Sequence, residues 1–164
     1  MNKTATLETA GRLAQDYEFT AMLVHRHVDG LTQEETLIQL PFEVNCLNWV
    51  LGHIVTNRSH ALEVVGVQHA WQEEVRRLYR TGTENVKPDG ESLHVDMLLR
   101  HLDESVELLK AALENASQEY LSEIFTNYRG EKTREAHLSS FHWHETYHIG
   151  QLEIFRALAL SQRK

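Results

Sequence analysis

Phe141-His-Trp-His-Glu-Thr-Tyr-His-Ile-Gly-Gln-Leu-Glu-Ile-Phe155 reads as part of one long helix, because Phe141, His144, His148, Leu152 and Phe155 recur every three or four residues. His144 and His148 stand on that apolar stripe where leucine or isoleucine is expected. Imidazoles four residues apart on a helix lie about 40° apart in azimuth and about 6 Å apart along the axis, so both can reach one metal ion. Polar rings in a core need partners. The pair therefore predicts a metal site inside a helical protein.

Working outward, Gly130 turns the chain and Thr133 opens this helix, which continues to about Ala159. Three other long helices are expected. One runs from about Leu7 to Val28, with Leu13, Tyr17, Val24 and Val28 in register. Another runs from Cys46 to Val65, capped by Asn45 and stopped by Gly66. The third is capped by Ser92 and runs to about Asn115, burying Leu98, Leu102, Val106, Leu109 and Leu113. Thr32 and Glu35 have the spacing of a capping box before a short turn that Pro41 ends. Residues 67–90 read as a short helix within a long loop, and Tyr120 to Tyr128 as extended or irregular. No run alternates long enough to argue a sheet. An all-α four-helix bundle forming a single domain over residues 1–164 follows, with function between the helices.

The composition agrees. With 164 residues, 24% charged, only two prolines and eight glycines, the chain suits one helical domain. A formal charge of −8 disfavours nucleic acid, and no apolar run is long enough to span a membrane. A single cysteine and the absence of a leader-like apolar run at the N-terminus make a cytoplasmic location the default.

A catalytic zinc site usually takes three protein ligands. His53, in the middle of an apolar helix, is the best third donor to His144 and His148, with Asn57 and Gln151 as candidates to hold the ligand rings. His60 lies two turns beyond His53 and is read as supporting or surface. His25, His27, His94 and His101 read as solvated; His137 and His142 are not first choices, and His69 has no clear place. Glu145 has two readings, a general base as in His-Glu-x-x-His metalloproteases or a carboxylate that orients or pairs elsewhere. Cys46 reads as a buried small hydrophobe, and Trp49 and Trp143 as core or pocket walls. Arg76, Arg77 and Arg80, with Trp71 and Tyr79, form either an anion-receiving group or a solvated face.

Asn48-Trp49 with Gly52-His53, together with His144-Glu145-x-x-His148-x-Gly150-Gln151, resembles the DinB superfamily over nearly the whole chain. The resemblance implies an up-down-down-up bundle, frequent homodimers, and a divalent ion held by His53, His144 and His148. Relatives include bacillithiol-dependent S-transferases and a mycothiol-dependent isomerase. In these relatives the metal is taken to activate the thiol, and the leading reading of the three imidazoles is an enzyme in which zinc or nickel activates water or a low-molecular-weight thiol for a small-molecule substrate. A zincin-like hydrolase is disfavoured because none of the sixteen residues after His148 is histidine. A non-catalytic metal-binding or dimeric interaction bundle is the alternative from another class.

Overall fold

The computed structural model describes residues 3–42 and 44–163. Met1 and Asn2, which belong to the stretch read for a leader, lie outside the described residues. Four long helices dominate: α1 (Lys3–Val28), α3 (Leu47–Val64), α5 (Val95–Glu114) and α7 (Arg134–Ser161). Short helices α2 (Gln33–Thr36), α4 (Gln72–Tyr79) and α6 (Gln118–Ser122) sit in the connections.

Each end has a chemical cause. Thr32 and Glu35 close the expected capping box on α2, and the Thr133 hydroxyl accepts from the Ala136 amide at the start of α7. At the end of α3 the Val67 amide donates to the Leu62 carbonyl and the Gly66 amide to that of Glu63, a Schellman closure requiring the positive φ of 76° at Gly66. Two expected caps are displaced. Cys46, not Asn45, precedes α3, with no side-chain cap. At α5 the cap is His94, not Ser92, because the backbone before it is already engaged: the Leu93 amide donates to the Tyr79 hydroxyl and its carbonyl accepts from Asn48.

Within the stretch read as extended or irregular lies β1 (Ile124–Asn127), which pairs with β2 (Gly130–Thr133) in a small antiparallel hairpin, joined through Tyr128 and Arg129, that no alternating run in the sequence had indicated. Its strands of four residues are too short to display a period of two.

Hydrogen bonds between helices give the direction of each. Tyr17 donates to the Leu138 carbonyl and Arg156 reaches those of His27 and Asp29, so α1 and α7 run parallel. Arg134 meets the Val64 carbonyl while Arg58 meets Glu145, so α3 opposes α7. His25 faces Asp103 while Gln33 accepts from the Val95 amide, so α5 opposes α1. The order is up-down-down-up. Residues 47–59 of α3 are buried without interruption, which makes α3 the inner strut of the bundle. Among the described residues no helix is long and apolar enough to cross a membrane.

Candidate metal centre

His53 is placed by a set of neighbours on and around α3. Its Nδ1 lies 2.8 Å from the Tyr79 carbonyl, and its ring stacks on Trp49 with centroids 4.8 Å apart and planes 8° apart. Gly52 leaves room for the Tyr79 ring, which a Cβ there would strike. Asn48 accepts from the Tyr79 hydroxyl at 3.0 Å and so fixes α4 against α3. Because a backbone carbonyl can only accept, His53 carries its proton on Nδ1 and leaves Nε2 unprotonated.

On α7, His144 and His148 lie one turn apart with their Nε2 atoms separated by 3.3 Å. His148 Nδ1 is 2.7 Å from Gln151 Oε1, which fixes the same tautomer. The His53 ring centroid lies 5.3 Å from that of His144 and 4.8 Å from that of His148. One ligand nitrogen from each ring falls within 4.8 Å of the other two. Burial pushes His53 and His144 down to about 4, and it lowers His148 as well, so the three imidazoles are neutral at pH 7.

These residues fit a metal ion. Two nitrogens bound tetrahedrally to zinc at about 2.05 Å stand about 3.3 Å apart, which is the separation seen between His144 and His148. Two of the three rings already have the outer hydrogen bond that metal-bound histidines use, while His144 Nδ1 is buried without a partner among the described residues. Among the described residues no charged side chain is hydrogen-bonded to the three rings.

The sequence profile of the DinB superfamily matches residues 16–152. The chain belongs to the DinB superfamily. A crystal structure of a conserved protein from Enterococcus faecalis shares its fold, with a TM-score of 0.60 at 19% identity and coverage of 99% of each chain. No curated protein matches it. Within this DinB fold the three histidines arise from α3 and α7, the two antiparallel helices that meet most closely.

Other residues singled out in the sequence land differently. Gln151 touches a ligand ring; Asn57 does not, since its Nδ2 donates to the His53 carbonyl and its Oδ1 accepts from Arg129. Glu145 is not gathered with the imidazoles. It is fully buried and its carboxylate faces Arg58, so the general-base reading loses its geometry. The buried stripe of α7 passes through Glu145 and His148, with His144 at its edge. Trp143, expected as core or wall, is 69% exposed. His101, expected in solvent, is half-buried and stacks on Trp71 with His69 on the same ring. Trp71 and Tyr79 are buried rather than part of a surface group. Cys46 is buried and burial raises its thiol pKa, so it is a small core residue.

The expected arginine group lines a cavity of about 750 Å³ together with Glu73 and Glu74 and with His53, Asn57, His60 and Tyr128. Arg76 is committed to Ser59 and Glu63, and Arg77 to Glu91, whereas Arg80 has no side-chain partner among the described residues. Arg129, not legible in the sequence, comes from the hairpin turn. It binds Asn57 of α3 and Ser140 of α7, each one turn, about 6 Å, from a histidine of the cluster. Its charge adds to the depression of His53 and His144.

Proposed function

We propose that His53, His144 and His148 hold a divalent ion, zinc or nickel, and that this DinB protein is a metal-dependent enzyme acting on a small molecule with a low-molecular-weight thiol or water. The observation that carries this reading is the combination of three neutral imidazoles, with no fourth donor gathered to them among the described residues, and a cavity of about 750 Å³ that reaches His53. A closed structural site would have a fourth protein ligand and no such access. An ion bound there supplies Lewis acidity that lowers the pKa of a water or thiol it contacts.

The protein's own residues do the rest. Tyr79 and Gln151 hold His53 and His148 in the tautomer that presents Nε2. Arg129, one turn away on both helices, keeps the local potential positive and favours an anionic nucleophile. Arg80 at the cavity wall offers a guanidinium to a carboxylate or phosphate of the incoming molecule. In the transfer, a sulfur–carbon bond forms to the electrophile as its carbon–leaving-group bond breaks; the leaving group departs with the electron pair and the thiol proton passes to solvent. The proposal takes the protein as a cytoplasmic homodimer.

The test is the rate of arylation of cysteine, glutathione or bacillithiol by 1-chloro-2,4-dinitrobenzene. The zinc- or nickel-loaded protein exceeds both the metal-free protein and His144→Ala with at least one thiol. Equal rates in all three samples contradict the transferase reading.

A further inference from the structure

A separate cavity of about 580 Å³ lies beside the histidines. Along α3, this cavity touches Trp49 and Val50, before His53, whereas the arginine-lined cavity touches Thr56, Asn57 and His60, beyond it. On α7 it touches His148 and Gln151. The imidazole cluster therefore stands at the level between two cavities, contributing His53 to one and His148 to the other.

The walls of this cavity are apolar. Phe42, Tyr147 and Ile154 line it while remaining 63%, 59% and 64% exposed. Large apolar side chains gathered in one exposed concavity forgo about 25 cal/mol for each Å² left in water and mark a surface that is covered in use. No Asp, Glu, Lys or Arg among the described residues lines it, whereas the first cavity carries charges of both signs, Glu73 and Glu74 beside Arg76, Arg77 and Arg80. The volume lies within the roughly 300–1,000 Å³ of small-molecule pockets, and a concave wall holding His148 suits a ligand better than a flat face of another chain does.

We infer that this cavity binds an apolar molecule of aromatic size, which stacks among Phe42, Tyr147 and Ile154. It is the second ligand of the proposed metal enzyme, held against His148 while the other reactant occupies the cavity at His53. The inference rests on that reading for the ligand's role, but the binding site itself can be probed without turnover.

The probe is 2-naphthol, titrated by calorimetry into the zinc-loaded full chain, with zinc measured on the same samples. Saturable binding at one site is expected. Ile154→Asp and, separately, Tyr147→Ala weaken it about tenfold or more, because a carboxylate in an apolar pocket or a lost aromatic wall removes upward of about 1.4 kcal/mol. Ile154 is largely exposed, so zinc content and melting temperature stay unchanged in Ile154→Asp, whereas Tyr147 also packs edge-on against His148. Arg80→Ala, in the other cavity, leaves naphthol affinity within about twofold. Absence of binding in zinc-replete protein, or equal affinity in Ile154→Asp, overturns the inference while leaving the metal centre standing. Naphthol binding in a protein that takes up no zinc sinks the metal reading and leaves this site. Loss of self-association in Ile154→Asp without naphthol binding to the wild type makes the face an interface between copies, and also overturns it.

Discussion

Arg58 and Glu145 are joined by hydrogen bonds of 2.6 and 2.7 Å in a place where neither side chain is more than 1% exposed. Arg58 also donates to the Tyr17 carbonyl and the Thr20 hydroxyl, and approaches Ser105, so it ties α3 to α1, α5 and α7 at once. Glu145 sits between the two histidines of α7 in sequence, so this pair sets the register in which α7 faces His53.

Removing one member of such a pair strands a buried charge. Glu145→Ala should lower the unfolding free energy by about 3–5 kcal/mol in urea titration, and Arg58→Met combined with Glu145→Leu should recover most of it. A loss below about 1 kcal/mol in Glu145→Ala would show that the pair is not what aligns the helices.

Gln151 and Asn57 separate by contact. Gln151→Ala should weaken metal affinity about 10- to 100-fold in chelator competition, since it frees the His148 ring. Asn57→Ala should change it less, because Asn57 holds the His53 carbonyl and Arg129 rather than an imidazole. Equal effects would argue against ring orientation by Gln151.

Gly52→Ala places a methyl group on the Tyr79 ring. Overpacking of this kind costs about 1–3 kcal/mol, and here it also moves the carbonyl that holds His53. Both a lower melting temperature and a weaker metal affinity are expected; a wild-type melting curve would contradict the close packing of α4 on α3.

The metal-free protein should lose stability on acidification. His53, His60 and His144 are pushed from 6.5 to about 4, chiefly by burial. Between those values the unfolded chain binds protons that the folded chain does not, so stability rises with pH across the window. The contribution is fully present above pH 6.5 and is lost as pH falls towards 4. The urea midpoint should therefore drop between pH 6.5 and 4.5, and a flat profile there would contradict burial of the neutral rings.

Much of this was legible in the sequence because long amphipathic helices announce themselves. Leu13, Tyr17, Val24 and Val28 form the inner face of α1, and Leu98, Leu102, Leu109 and Leu113 that of α5, as their spacing indicates. The histidine pair was legible for the same reason. What was not legible depended on tertiary partners. Nothing near Glu145 in sequence shows that Arg58, on another helix, claims its carboxylate; the available signal was an arginine standing in helical register with Leu51, Ile54, Ala61 and Leu62 on α3. The start of α5 shifted because Tyr79 and Asn48 hold Leu93, contacts that span 14 and 45 residues. Arg129 reaches the site only because a hairpin too short to show periodicity delivers it there.

The most direct test is the ion content of the purified, zinc-reconstituted chain beside His53→Ala, His144→Ala and His148→Ala, each checked for helicity. About one zinc per wild-type chain is expected, and a small fraction of that in every variant that keeps its helical signal. Full zinc in the folded variants, or none in the wild type, would contradict a centre built by these three rings.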